Sequence, residues 1–258
     1  GSPEDGSALV QENKLPGWVQ DFALFLLDAS GRIASWYMGA VRIYGYSPEE
    51  AVGQAEAQRV AAEYSMRAGG QSVAARATAL ELAQQAARQY PDVVASQLVL
   101  AQAQRLEAQA LLASGQDPSR AITDGLQAVG AGLKLRLEDA ELLGLEAELH
   151  LLQAQWHRRQ RRLAEAALER ASIALTASIK TNGQRAASYL TRARVAQLRA
   201  DLAAGQAAQA ALSEGLEATR TALVVSPGSA QALLLQGQLL LAEALRAPLA
   251  ERTSMAQP

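Results

Sequence analysis

The chain of 258 residues contains no cysteine. A chain without cysteine can form no disulfide, no cysteine-ligated zinc site and no thiolate nucleophile. Aromatic residues are also scarce, at 4%, and neither sign of charge dominates, because 24 Lys and Arg stand against 26 Asp and Glu. This near balance argues against nucleic acid or an anionic membrane surface as a partner.

Long apolar runs and catalytic motifs are missing as well. The most apolar stretch, residues 232–241, is far shorter than the roughly 20 residues that span a bilayer. No basic start followed by an apolar run indicates a secretory signal, so we expect a cytoplasmic protein without a membrane partner. Neither glycine-rich phosphate loops nor metalloprotease or hydrolase motifs occur. We therefore predict a non-enzymatic protein with no catalytic residue, cofactor or metal. His150 and His157, the only histidines, are left unassigned.

The few aromatic residues lie mostly before residue 53. In that part, an apolar run at 22–27, turn-forming residues at 28–31 and a second run at 32–36 predict a β-hairpin. Ser47-Pro48-Glu49-Glu50 follows, with a capping hydroxyl, a proline for the first helical position and two carboxylates for the first turn. A helix is therefore expected to start there.

Residues 21–53 carry a D-x-x-G turn at Asp28–Gly31 and a G-Y-S-x-E-E-x-x-G pattern at Gly45–Gly53. This segment resembles the first half of a PAS sensor domain. The resemblance implies ligand sensing, but such a domain continues through a further helix and three strands, and here a helical composition follows. We expect a truncated hairpin that caps the first helices. Alternatively, its open strand edges recruit a second copy and form a homodimer.

Beyond residue 53 the chain consists mainly of strong helix formers, and small residues recur in it with a period of about 46. Breaks in the pattern occur at Pro91, Leu137, Gly183 and Pro227, again about 46 residues apart. The periodicity predicts a mainly α fold, an α-solenoid of antiparallel helical hairpins from residue 47 to 227. A final helix over 229–246 is expected to cap the stack. The small residues in register are Ala101, Ala147, Ala193 and Gly237 in the first helices, and Ala79, Gly125, Ala171 and Gly215 in the second helices.

The best unit combines Gly215, Thr219, Ala222-Leu223 and Pro227, and it resembles a tetratricopeptide repeat, although that family has a period of about 34. The domain boundaries predicted from these patterns are a tag and flexible tail at 1–14, a PAS-like hairpin and helix at 15–52, the repeat domain at 47–246, and a flexible tail at 247–258.

The resemblance implies a concave groove lined by the first helix of each repeat. Mapping by register gives seven polar candidates for contact with a protein or peptide partner: Arg59, Gln102, Arg105, Glu148, Arg194, Gln197 and Gln238. Leu106, Leu152 and Leu198 are expected to add apolar contact beside them. A second candidate is an interhelical loop that could bind an anion through guanidinium groups. It contains Arg158, Arg159, Arg161 and Arg162.

These observations predict a protein-interaction scaffold in bacterial signalling that binds a peptide or protein segment in its groove. The bacterial source is inferred from abundant alanine and from basic residues that are nearly all arginine. One alternative is a PAS-like sensory module that binds a small ligand, or dimerises, to regulate an effector such as a kinase. Another is an artificial fusion, because the PAS-like pattern ends almost where the repeat begins.

Overall fold

The computed structural model describes residues 25–27, 33–36 and 73–246, with side chains from residue 76 onward. The chain divides into two compact units, Gly1–Ser96 and Gln97–Pro258. The first unit contains strands β1 (Phe25–Leu27) and β2 (Ile33–Trp36), which pair antiparallel with an irregularity between Leu26 and Leu27. The predicted turn, PAS-like helix and first-repeat residues up to 72 lie outside the described residues.

The described part from residue 73 onward is helical and confirms a mainly α fold. Short turns and loops separate the helices. The bounds are α1 (Val73–Gln89), α2 (Val94–Ser114), α3 (Ser119–Leu135), α4 (Ala140–Arg159), α5 (Glu165–Thr181), α6 (Ala186–Leu202), α7 (Gly205–Val225) and α8 (Ala230–Arg246).

Helix ends repeat with the period read from the sequence. Odd-numbered helices, called B helices below, end at residues 89, 135, 181 and 225, and the A helices that follow begin at 94, 140, 186 and 230. The same backbone hydrogen bond closes three successive B helices, from Arg136 to Gly132, from Asn182 to Ser178 and from Ser226 to Ala222. The A–B loops are short, since they cover residues 115–118, 160–164 and 203–204, so most residues of each period lie in helices.

Glycines on B helices allow the next A helix to approach closely. A Cβ atom at Gly125 of α3 would lie 3.1 Å from the Leu149 side chain of α4, and one at Gly215 of α7 would lie 3.1 Å from Leu239 of α8. Leu149 and Leu239 are fully buried. The predicted role of these two small residues in helix packing is therefore confirmed at two of the repeated junctions.

The B-to-A turns differ in the pair of residues that meets beside them. In the first complete turn, Gly132 accommodates Leu142, whose Cδ1 would lie 2.7 Å from a Cβ at Gly132. In the next turn, the hydroxyls of Ser178 and Ser188 are 2.9 Å apart, and Ser178 also donates to the carbonyl of Ala140 at 2.7 Å. In the last turn the corresponding residues, Ala222 and Ala232, are both fully buried. The equivalent positions at the three turns are thus occupied by a Gly–Leu, a Ser–Ser and an Ala–Ala pair.

Buried side chains of the second unit form two clusters. One joins α4, α5 and α6 around Leu168 and Leu175, and the other joins α6, α7 and α8 around Leu212 and Leu239. Helix α4 is buried on more than one side, and Asp139 caps its start by accepting hydrogen bonds from the N–H groups of Glu141 and Leu142. Half of the 20 residues of α4 are buried.

Helix α8 has an apolar side that no other described element covers. Its buried residues are Ala232, Leu235 and Leu239, whereas Leu233, Leu234, Leu240 and Leu241 are exposed. Gly237, expected to permit close packing, is exposed and has open space around it. Terminal repeats that cap a stack present a polar outer face, so α8 does not have the character expected of a cap.

Candidate functional site

The A helices carry one polar residue at the same repeat position. Four of the predicted groove residues occupy it in successive A helices, namely Gln102, Glu148, Arg194 and Gln238. Its first two members lie in the earlier repeats, where neighbouring side chains bind them. The last two lie on α6 and α8 and are exposed. The row therefore changes character from the earlier to the later repeats.

In the earlier repeats the predicted residues bind each other. The Nε of Arg105 on α2 lies 3.2 Å from a carboxylate oxygen of Glu148 on α4, and both side chains are about three-quarters buried. The amide of Gln102 donates to Glu141 at 3.2 Å, and Glu141 also lies 3.8 Å from the guanidinium of Arg185. These contacts connect α2 to α4 and α4 to the turn before α6. Their polar groups are engaged within the chain.

Arg185 lies against Gly144 of α4, where the lack of a side chain leaves room for its guanidinium. Its Nε is buried and has no hydrogen-bond partner within the described residues. A buried donor without a partner is unfavourable. The packing of Arg185 against Gly144 and its ion pair with Glu141 therefore hold this side chain in place. The Arg185 side chain is 28% exposed.

In the later repeats, the polar residues of this row are accessible to solvent. Arg194 is exposed and makes no ion pair within the described residues, whereas its neighbours Arg192 and Arg199 pair with acidic groups of α7 and α5. Gln197 is half-buried beside it, one turn along α6, and Gln238 is exposed on α8. These three side chains are the predicted groove residues that remain accessible in the later repeats, and they are called the Arg194 site below.

Two predicted contact residues of this region are not available. Leu152 and Leu198 are buried in the interior, and only Leu106 is partly exposed. The prediction of apolar contact from Leu152 and Leu198 is wrong, because the A helices turn these leucines towards their neighbours. Arg59 lies outside the described residues, so its place in the groove stays a prediction.

The predicted anion-binding loop is divided between a helix and a loop. Arg158 and Arg159 lie in the last turn of α4, where Arg158 pairs with Asp201 at 3.0 Å and Arg159 donates to the carbonyl of Leu112. Arg161 has a backbone φ of 55° in the tight loop that follows, and Arg162 is exposed. Two of the four guanidinium groups are thus engaged in joining neighbouring A helices.

Asp201 is a residue that the sequence analysis missed. It accepts from Arg158 of α4 and lies 3.4 Å from Arg246 of α8, which also donates to the carbonyl of Ala200. Three A helices therefore meet in one charge cluster at the C-terminal end of α6. Opposite charges at corresponding helix ends are the signal that would have indicated it.

The two histidines serve local structure. The Nδ1 of His150 lies 3.1 Å from the side-chain oxygen of Gln153, and the Nδ1 of His157 lies 3.2 Å from the carbonyl of Leu163. Among the residues that the structure describes, no cluster of three or more potential metal ligands occurs. The described side chains thus offer no grouping for an ordinary protein metal site.

One carboxyl group has a shifted pKa. Hydrogen bonds from the side chain and the backbone N–H of Ser119 lower the pKa of Asp117 below its ordinary value, and the positive charge of Arg162 adds to the effect. These bonds favour the ionised carboxylate. Asp117 therefore stabilises the start of α3 in its charged form.

The helices described between residues 73 and 246 include none long and apolar enough to cross a membrane. The sequence matches no known family, and no curated protein or solved structure shows significant similarity to it.

Proposed function

We propose that the helical repeat is a tetratricopeptide-like α-solenoid that acts as a protein-interaction scaffold and binds a peptide or protein segment along its A helices. The observation that supports it is the row of polar residues at one repeat position, from Gln102 to Gln238. Helices in such a stack place equivalent residues side by side, so a row of this kind suits an elongated ligand. The PAS-like sensor and fusion alternatives depend on residues outside those described.

The Arg194 site defines which part of the row is open to the ligand. Because Arg105 and Glu148 neutralise each other, a partner would gain little from displacing them. The guanidinium of Arg194 is exposed, and guanidinium groups bind carboxylates through paired hydrogen bonds. The amides of Gln197 and Gln238 can donate and accept hydrogen bonds with a peptide backbone. The expected partner is therefore a segment with an acidic side chain that contacts Arg194.

A peptide-display experiment tests this proposal with a random peptide library. Peptides selected on the intact protein are measured against the Arg194→Glu variant, for which we expect at least a tenfold loss of affinity and selected sequences enriched in Asp and Glu. Arg170→Glu is the matched control, because Arg170 is also exposed but lies on B helix α5. Equal binding to the two variants would contradict the proposal, as would failure to select any binder.

A second pair of variants separates binding from structure. Arg105→Glu alone would place two carboxylates together beside Glu148, so any loss of binding could reflect repulsion within the stack. The charge exchange Arg105→Glu with Glu148→Arg retains the opposite charges of the pair. We expect this double variant to bind the selected peptides within about threefold of the unmodified protein, since the Arg194 site is intact. A complete loss of binding would move the site to the earlier repeats.

A further inference from the structure

Helix α8 exposes an apolar face that contains no polar residue at its centre. With 3.6 residues per turn, Leu233, Leu234, Leu240 and Leu241 surround Gly237 on one side of the helix, opposite the buried Leu235 and Leu239. The exposed leucines are between 48% and 65% accessible. A helix with apolar residues on opposite sides is normally covered on both.

The repeat indicates what kind of element covers this face. On α6, the residues that correspond to Leu234 and Gly237 are Leu190 and Ala193, and both are buried in the cluster formed with B helix α7. The described chain places no B helix after α8. The exposed face of α8 is therefore equivalent to the apolar face through which α6 packs against α7.

The face is also symmetric along its length. Leucines lie three and four positions before Gly237 and again three and four positions after it. If two copies of α8 cross antiparallel at Gly237, Leu233 meets Leu240 of the second copy and Leu234 meets Leu241. The glycine has open space around it, so the two backbones can approach closely.

Charge does not oppose this pairing. The charged residues of α8 are Glu243 and Arg246, both near its C-terminal end. Glu243 accepts a hydrogen bond from Gln209, and Arg246 is held at Asp201. In an antiparallel pair these ends point away from each other, so no like charges meet across the interface.

We propose that α8 is a self-association surface, through which two copies of the chain form a twofold-symmetric dimer with antiparallel α8 helices crossing at Gly237. The four exposed leucines present on the order of 400 Å² of apolar surface per copy, a patch size that marks interaction sites. Two such patches give an interface at the small end of the specific range, below about 1,200 Å² in total. The dimer is therefore weak and depends on concentration. This inference does not rest on the proposed function, although Gln238 of the Arg194 site borders the leucine face.

Sedimentation velocity of the full chain over a range from about 1 to 300 μM is the first test. We expect a monomer–dimer equilibrium with a dissociation constant of about 10 to 100 μM, which Leu234→Glu weakens at least tenfold. Ile173→Glu is the control, because Ile173 is 61% exposed on α5 and should leave the equilibrium unchanged. A monomer throughout the range would overturn the proposal, as would a dimer that Leu234→Glu leaves intact. The latter result would favour an interface elsewhere, such as the N-terminal segment.

The absence of cysteine allows a second test of the crossing point. Gly237→Cys introduces the single thiol of the chain at the proposed twofold axis, where the two sulfurs meet within bonding distance. Mild oxidation is expected to convert most of this variant into a disulfide-linked dimer. Ile173→Cys, with its thiol on α5, should stay largely monomeric under the same conditions. Equal crosslinking of the two variants would overturn the proposed geometry.

Discussion

Helices α4 and α8 occupy the same place in their repeats, but they have different surroundings. Helix α4 is buried between neighbours, including Leu149 beneath Gly125 of α3. Helix α8 is also rich in leucine, yet the described elements cover it on one side only. The comparison shows that the leucine content of a repeat helix indicates how much of its surface must pack against another element. Whether the partner is in the same chain depends on the helix that follows.

The largest expected effect comes from shortening a leucine in each helix. Leu149→Ala should lower the free energy of unfolding by about 3 kcal/mol, because Leu149 is fully buried and its removal leaves a cavity. Leu240→Ala on α8 should cost less than about 1 kcal/mol, since Leu240 is half exposed. Urea denaturation followed by circular dichroism at low micromolar protein measures both. Similar losses would show that α8 is covered like α4.

A glycine beside α4 gives the next largest effect. Gly132→Ala should destabilise the protein by about 1 to 2 kcal/mol, because its Cβ would lie 2.7 Å from the enclosed Leu142 side chain. Gly130→Ala, on the same helix but with no atom within 4 Å of its Cβ, should instead stabilise the protein by up to about 1 kcal/mol through helix propensity. Urea denaturation of the two variants gives the sign of each change in unfolding free energy.

A double variant identifies the cause of the Gly132 effect. In a Leu142→Ala background the space beside Gly132 is open, so adding Gly132→Ala should be neutral or stabilising. The last turn of the repeat already combines two alanines, Ala222 and Ala232, at the corresponding positions. If Gly132→Ala remains equally destabilising without the leucine, the cost arises from the backbone and not from this contact.

A smaller effect is expected at the turn between α5 and α6. Ser178→Ala removes a hydrogen bond to the carbonyl of Ala140 and leaves the buried hydroxyl of Ser188 without its partner. The expected loss is about 1 to 2 kcal/mol of unfolding free energy, because buried polar groups lose hydration without compensation. Adding Ser188→Ala should recover part of it. Chemical denaturation of the two single variants and the double variant tests whether the two hydroxyls are coupled. If the losses of unfolding free energy simply add, the hydroxyls are not coupled and the prediction is wrong.

The sequence predicted the period of this fold better than its contacts. Breaks at Pro91, Gly183 and Pro227 fall within the observed turns, because helix-breaking residues act locally. The break at Leu137 follows from the period alone and also falls within a turn. The pairing of Arg105 with Glu148 was not predicted, although both residues were singled out, because a register assigns a face but no partner. The Asp201 cluster was missed for the same reason. It depends on the distance between helix ends that are far apart in the chain.

The smallest expected effect concerns how two B helices begin. Helix α3 begins beside Asp117, which accepts a hydrogen bond from the N–H of Ser119, whereas α7 begins after Ala204, which offers no capping side chain. Ser119→Ala should raise the pKa of Asp117 towards its ordinary value, because the side-chain hydrogen bond is the largest cause of its lowering. Arg162→Gln should raise it less, since that charge is the weakest cause.

The direction of the pH dependence follows from this lowered pKa. A carboxyl group that is more acidic in the folded than in the unfolded chain stabilises the fold above its unfolded pKa, and the contribution disappears as the pH falls through the folded value. Carbon-detected NMR titration of the Asp117 carboxyl in the unmodified protein and in the two variants gives the order of the three pKa values. If Arg162→Gln moved the pKa of Asp117 further than Ser119→Ala, charge between the loops would matter more than the local hydrogen bonds. The start of α3 would then depend on Arg162, which follows α4 in the chain, just as the burial of α4 depends on the helices that follow it.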